Sequence, residues 1–125
     1  MKQFDEYSVV GENQLKQLKD LDGGSGDLLV ELIALWQGTA DQVLNDLDSA
    51  ISGKNLPEIE SLSHKLKGSC ANIGALKMSK VCESIEDVSS SGSFDGIEEM
   101  FAYAKTLYPL SKEHLISSLG IKSAA

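Results

Sequence analysis

With 125 residues, 42% of them hydrophobic, the chain is long enough for one domain with a buried core and too apolar to stay disordered away from its ends. A formal net charge of −8 without a basic stripe argues against a phosphate-rich partner such as nucleic acid. No stretch approaches the roughly 20 apolar residues of a membrane helix. The first ten residues carry Asp5 and Glu6 and no long apolar run, so no signal peptide is expected there and a cytoplasmic location is.

In chain order, the first predicted element is a short polar helix, about Glu12 to Leu21, with Leu15, Leu18 and Leu21 along one side. Gly23, Gly24 and Gly26 end it in a turn, and Ser25 or Asp27 is placed to cap the next helix. That second helix, about Asp27 to Ile51, repeats Leu29, Leu32, Ile33, Trp36, Ala40, Val43, Leu47 and Ala50 in steps of three and four, and Gly53 stops it. A third helix starts at Asn55, with Pro57 in its first turn and Glu58 at the capping-box position, and runs to about Asn72 before Gly74. The fourth runs from about Ala75 to Ser89, with Met78, Val81, Cys82, Ile85 and Val88 inward. After Ser90-Ser91-Gly92-Ser93, a fifth begins near Phe94 and buries Ile97, Met100, Phe101, Ala104 and Leu107. Pro109 is expected to kink or end it, with Leu110 to Leu119 a further helical piece and the last residues frayed.

No segment alternates as a strand does, and neither an internal repeat nor a linker is visible. The expected fold is all-α: a single domain over residues 1–125, an antiparallel four-helix bundle with a short additional N-terminal helix. Cys70 and Cys82 sit in S-C-A and V-C-E contexts without a C-x-x-C pair, which reads as two buried free thiols.

The third helix carries the chemistry. With Leu56 at zero and about 100° per residue, Leu56, Ile59, Leu62, Leu66, Cys70 and Ile73 fall within roughly 120° and face the core. His64 lies roughly 140° from the middle of that arc, so it points to solvent halfway along a rigid helix. Lys67, Gly68 and Ala71 come three, four and seven residues after it and are its direct neighbours. An exposed neutral imidazole offers a nucleophilic ring nitrogen. Lys67 one turn away disfavours the imidazolium and is placed to pair with phosphoryl oxygens. Glycine in a helix interior costs roughly 1 kcal/mol relative to alanine, and removing bulk beside His64 is a reason for Gly68. On spacing alone, a solvated helix face with a packing glycine remains the alternative.

The run His64-Lys65-Leu66-Lys67-Gly68-Ser69-Cys70-Ala71-Asn72-Ile73-Gly74-Ala75 closely resembles the signature of histidine-containing phosphotransfer (HPt) domains. Glu31-Leu32-Ile33-Ala34-Leu35-Trp36 and Val81-Cys82-Glu83-Ser84-Ile85-Glu86 resemble the family's patterns on the second and fourth helices, and the likeness spans about Leu21 to Tyr108. The resemblance implies a phosphoryl carrier in a two-component phosphorelay. His64 would be phosphorylated on the ring nitrogen farther from the backbone, Lys67 would steady the phosphoryl group, and Gly68 would permit docking. Glu60, Ser61, Lys65 and Ala71 complete the implied partner-binding face, with help from the second helix. Family members often orient the other ring nitrogen with a polar group on a neighbouring helix, and Gln37 is the candidate here. Cys70 stands where the family usually has Ser or Ala.

No P-loop, ATP lid or receiver-type acidic pocket is present in the sequence, so the chain is expected to carry phosphate without autokinase activity. It needs no cofactor of its own, Mg²⁺ belonging to the partner. The implied partners are receiver domains of response regulators or hybrid histidine kinases, met by a monomer. A non-catalytic helical adaptor whose histidine is incidental is the competing reading. A general-base enzyme is weakly supported, because a convex helix face offers no pocket. A metal site built from His64, His114 and the cysteines conflicts with the opposed directions of those side chains.

Overall fold

The computed structural model describes residues 1–121, and the end that was expected to fray, residues 122–125, lies outside the described residues. Five helices come after a short 3-10 turn at Lys2–Phe4: α1 (Glu12–Asp22), α2 (Asp27–Ser52), α3 (Leu56–Ile73), α4 (Leu76–Ser90) and α5 (Ile97–Leu119). No strand occurs among the described residues. The helices α2 to α5 pack in a ring, each against the next and α5 back on α2, while α1 lies across α2, α3 and α5. This is the up-and-down bundle that the apolar spacing requires. Its interior is filled by Ile33, Val43, Leu47, Ile59, Leu66, Met78, Val81, Ile85, Ile97 and Leu115, all essentially solvent-free.

Caps set the helix ends. Asn55 caps α3 as expected by accepting the amide of Glu58, but the reciprocal bond of a capping box is replaced: the Glu58 carboxylate accepts from the Asn55 side-chain amide, while the Asn55 backbone amide donates to the Ala50 carbonyl. The start of α2 differs from expectation. Its capping position is Gly26, Ser25 Oγ reaches only the Asp27 amide, and the capping oxygens come from Asp22 at the end of α1. The Asp22 carboxylate accepts from the amides of Gly24, Gly26, Leu28 and Leu29 at 3.2, 2.7, 3.0 and 3.4 Å. Gly23, Gly24 and Gly26 all take positive φ and fold the turn back so that this carboxylate overlies the α2 N-terminus. The Gly26 amide, ahead of the others, holds the Asp22 carboxyl below its ordinary range. Stability from this cap is therefore full above the unfolded-state value of 3.8 and is lost as pH falls through the lower folded one. Asp22→Ala is expected to lower Tm at pH 7 and to lose that difference in acid; parallel melting curves at the two pH values check it.

Pro109 does not end the last helix, which runs unbroken to Leu119. An interior proline costs about 3 kcal/mol. Leu107, Ser111, Leu115 and Leu119 on both sides of it are buried, and each large apolar side chain removed from water contributes roughly 1.5–3 kcal/mol.

The turn between α3 and α4 is fixed from outside. The Gly11 amide donates to the Gly74 carbonyl at 2.9 Å, and the Gln14 side chain donates to the Asn72 carbonyl at 2.7 Å. Gly74 has φ +91°, and a Cβ there would sit 3.2 Å from Leu15. Only glycine suits both the backbone and the space. Gly11 and the first turn of α1 thus clamp the end of the helix that bears His64.

Candidate functional site

Buried Ile59, Ser63, Leu66, Cys70 and Ile73 form the inward stripe of α3. Leu56 and Leu62, expected inward, are half-buried, and Ser63 takes a core place that its polarity concealed. The stripe turns His64 outward, its side chain 68% exposed.

The His64 ring is held from α4. Its Nδ1 lies 2.8 Å from Glu86 Oε2. Lys67 Nζ, from the next turn of α3, lies 2.6 Å from the other oxygen, Oε1. One carboxylate therefore bridges the histidine and the lysine. Burial pushes the Glu86 carboxyl up, but its bonds to Lys67 and His64 outweigh this and hold it below its ordinary range. Its contact with Glu86 raises Lys67, and the more distant charges of Glu83 and Asp87 act in the same direction. An ionised carboxylate only accepts, so Nδ1 must carry the proton it donates. Nε2 is then the ring atom with the free lone pair, and it has no hydrogen-bond partner among the described residues.

Gln37 does not fill the orienting role suggested for it. Its backbone carbonyl accepts from the Tyr108 hydroxyl at 3.2 Å, which ties α2 to α5, and no bond joins it to His64. The reason is register. The Trp36 indole N–H donates to Cys70 Sγ at 3.4 Å, which fixes antiparallel α2 against α3 with residue 36 level with residue 70. Gln37 then lies near the level of Ser69, about a turn from His64, on the side of α2 that meets α5. Glu86 is the residue sequence reasoning missed. A signal for it was present: α3 and α4 are antiparallel about Gly74-Ala75, and His64 and Glu86 are equally far from Ala75 on either side.

Of the other expected site residues, Ser61, Lys65 and Ala71 are exposed, and Glu60 and Gly68 are half-buried. All stand on the outer side of α3 with His64. A Cβ on Gly68 would meet nothing within 4 Å. The same register sets Gly38 of α2, also with open space around its missing side chain, level with Gly68. Leu35, 67% exposed, comes level with Ala71. The outer surface beside His64 thus combines two helix-interior glycines, a small residue and an exposed leucine. Two surface grooves, each about 470 Å³, lie at the α1–α2 turn and beside the N-terminal segment, and His64 lines neither. Cys70 and Cys82 are buried and free. No group of three or more His, Cys, Asp or Glu suited to a metal occurs among the described residues.

Known proteins resemble this chain in sequence and in fold. The chain is 34% identical over 99 residues to multistep phosphorelay regulator 1 of Schizosaccharomyces pombe, covering 79% of this chain and 32% of that protein. It is 29% identical over 85 residues to histidine-containing phosphotransfer protein 2 of rice, covering 66% of this chain and 56% of that one. The chain thus spans from about a third to under three fifths of these relatives. In fold it is similar to histidine-containing phosphotransfer protein B from Pseudomonas aeruginosa, with a TM-score of 0.80 at 14% identity over 90% of this chain and 95% of that one. A rice pseudo histidine-containing phosphotransfer protein is 25% identical over 109 residues, covering 85% of this chain and 58% of that protein. Residues 31–114, about two thirds of the sequence, match the Hpt domain model, in keeping with the all-helical bundle. The chain belongs to the Hpt domain family.

Proposed function

We propose that this protein is a phosphoryl carrier of a two-component phosphorelay, taking the phosphoryl group on Nε2 of His64 from a receiver aspartate or hybrid kinase and passing it to an aspartate of a response regulator. The observation that supports this most is the state of the ring: Glu86 occupies Nδ1 at 2.8 Å, while Nε2 faces solvent as the available nucleophile. Transfer is an in-line displacement, in which positioning and charge neutralisation supply most of the rate. Lys67 is the cation in reach. When a phosphoryl group arrives with roughly two negative charges, it competes with Glu86 for the ammonium. Mg²⁺ would sit in the partner's acidic pocket, and the chain itself would neither bind ATP nor phosphorylate itself. No helix among the described residues is long and apolar enough to cross a membrane.

Gly68, Gly38, Ala71 and Leu35 would form the floor on which a receiver rests, with Glu60, Ser61 and Lys65 at its edge. The test is incubation with phosphorylated receiver domains. Acid-labile, base-stable phosphate on this chain is the expected result. Stable docking without any phosphate transfer would instead establish the helical adaptor.

Lys67→Ala is expected to slow transfer on the order of tenfold, the loss of one charge-assisted contact to the migrating group. Receiver affinity should change much less. Rapid-quench transfer and binding titrations on one preparation check both.

A further inference from the structure

We propose that Ser79 of α4 is a positioning residue for Lys67: its hydroxyl holds the main chain at the base of the lysine, so that the ammonium stays in reach of His64 when it leaves Glu86 for an arriving phosphoryl group. This rests on the phosphoryl-carrier reading and deepens it.

Lys67 is gripped from α4 at both ends. Ser79 Oγ donates to its main-chain carbonyl at 3.0 Å, and its Nζ lies 2.6 Å from Glu86 Oε1. Ser79 and Glu86 stand two turns apart on α4, which puts both on the face turned to α3. The Ser79 bond is not the one that helix geometry alone would produce. A serine inside a helix usually returns its hydroxyl to a carbonyl one turn back, as Ser89 of the same helix does to Ile85 at 2.9 Å. Ser79, only 6% exposed, crosses to α3 instead.

The place that Ser79 reaches is the soft point of α3. The Lys67 carbonyl belongs to the peptide that joins Lys67 to Gly68, and glycine leaves the backbone freer there than any other residue would. A bond from α4 to this peptide steadies the helix at the turn from which the lysine side chain departs. That side chain is a point charge on a flexible four-carbon stem, so a fixed base limits where the ammonium can go. At rest Glu86 fixes the tip as well. When roughly two negative charges arrive on the ring and draw the ammonium away, the hold on the tip is lost and the hold on the base remains. A lysine anchored at its base searches fewer positions before it meets the phosphoryl oxygens, which is preorganisation of the group that neutralises charge during transfer.

The parent protein, Ser79→Ala, Lys67→Ala and the double variant form a cycle. Alanine removes the hydroxyl, is the best helix former and leaves the Lys67 carbonyl its own bond within α3, so the fold is retained. Single-turnover transfer from a phosphorylated receiver domain, followed over receiver concentration, gives a limiting rate and a half-saturating concentration. The expected result for Ser79→Ala is a limiting rate about fivefold lower, the factor that one ordinary hydrogen bond is worth, with half-saturation unchanged. In the Lys67→Ala background the same change should alter neither. A second readout needs no partner: the Lys67 ammonium protons, followed by ¹⁵N NMR, should exchange with water about fivefold faster in Ser79→Ala, because a loosened base loosens the contact with Glu86. Equal slowing of transfer in both backgrounds would make Ser79 a prop of the fold and overturn the proposal, as would transfer untouched by Ser79→Ala. Faster ammonium exchange in proteins that take phosphate from no receiver would support the Ser79–Lys67 coupling and overturn the carrier reading.

Discussion

His64→Ala is expected to abolish phosphoryl uptake while leaving the fold intact. The loss should be complete, because the only other histidine, His114, stands on α5 and makes no bond to Glu86 or Lys67. The side chain is 68% exposed and outside the core, and changes at such positions usually stay within about 0.5 kcal/mol of stability. Circular dichroism and thermal melting should therefore nearly overlay the parent protein. The decisive measurement is radiolabel from a phosphorylated receiver. Label that persists in His64→Ala, stable in base and labile in acid, would move the phosphosite elsewhere and remove the basis for the functional reading.

Gly68→Gln should separate stability from function in opposite directions. Glycine inside a helix is roughly 1 kcal/mol worse than alanine, and glutamine is a good helix former. No neighbouring atom lies within 4 Å of a Cβ at this position, so the fold should gain rather than lose, with a rise in Tm of a few degrees. Transfer should fall on the order of a hundredfold, since the new side chain stands about one helical turn from Nε2 and a displacement near 1 Å at a reacting centre costs that much. Gly68→Ala should show a smaller version of both effects. Normal transfer in Gly68→Gln would mean that close approach at this surface is not needed, and the docking floor would have to be placed elsewhere.

Much of the fold was readable from the sequence. The three-four spacing in α2, α3 and α4 placed the buried residues because burial on a helix repeats with the turn, and the same wheel sent His64 outward. What failed was what one helix cannot report about another. Glu86 belongs to α4 and Gln37 to α2, and which of them reaches the imidazole is decided by the α3–α4 register and by the Trp36–Cys70 contact. The α2 cap failed for a related reason: Asp22 lies before three glycines, and only their positive φ values return it to the helix start. Pro109 misled because local propensity was weighed without the tertiary burial of Leu115 and Leu119. The resemblance to the family raised His64 above the solvated-face alternative, which spacing alone left open.

The convexity of the site has a kinetic consequence. His64 projects from the side of a helix, 68% exposed, and lines neither groove described above, so on the carrier reading the chain would supply only half of a reaction chamber. The other half, with its walls and its exclusion of water, must arrive with each partner. A donor and an acceptor would need the same few side chains around one imidazole, and two globular domains do not fit there together. If the chain is the carrier proposed above, its exchange is double-displacement: the first protein must dissociate before the second engages, and the loaded form is an obligatory free species. Reciprocal rate plots against donor and acceptor concentration should run parallel, and an excess of unphosphorylated donor should inhibit onward delivery competitively.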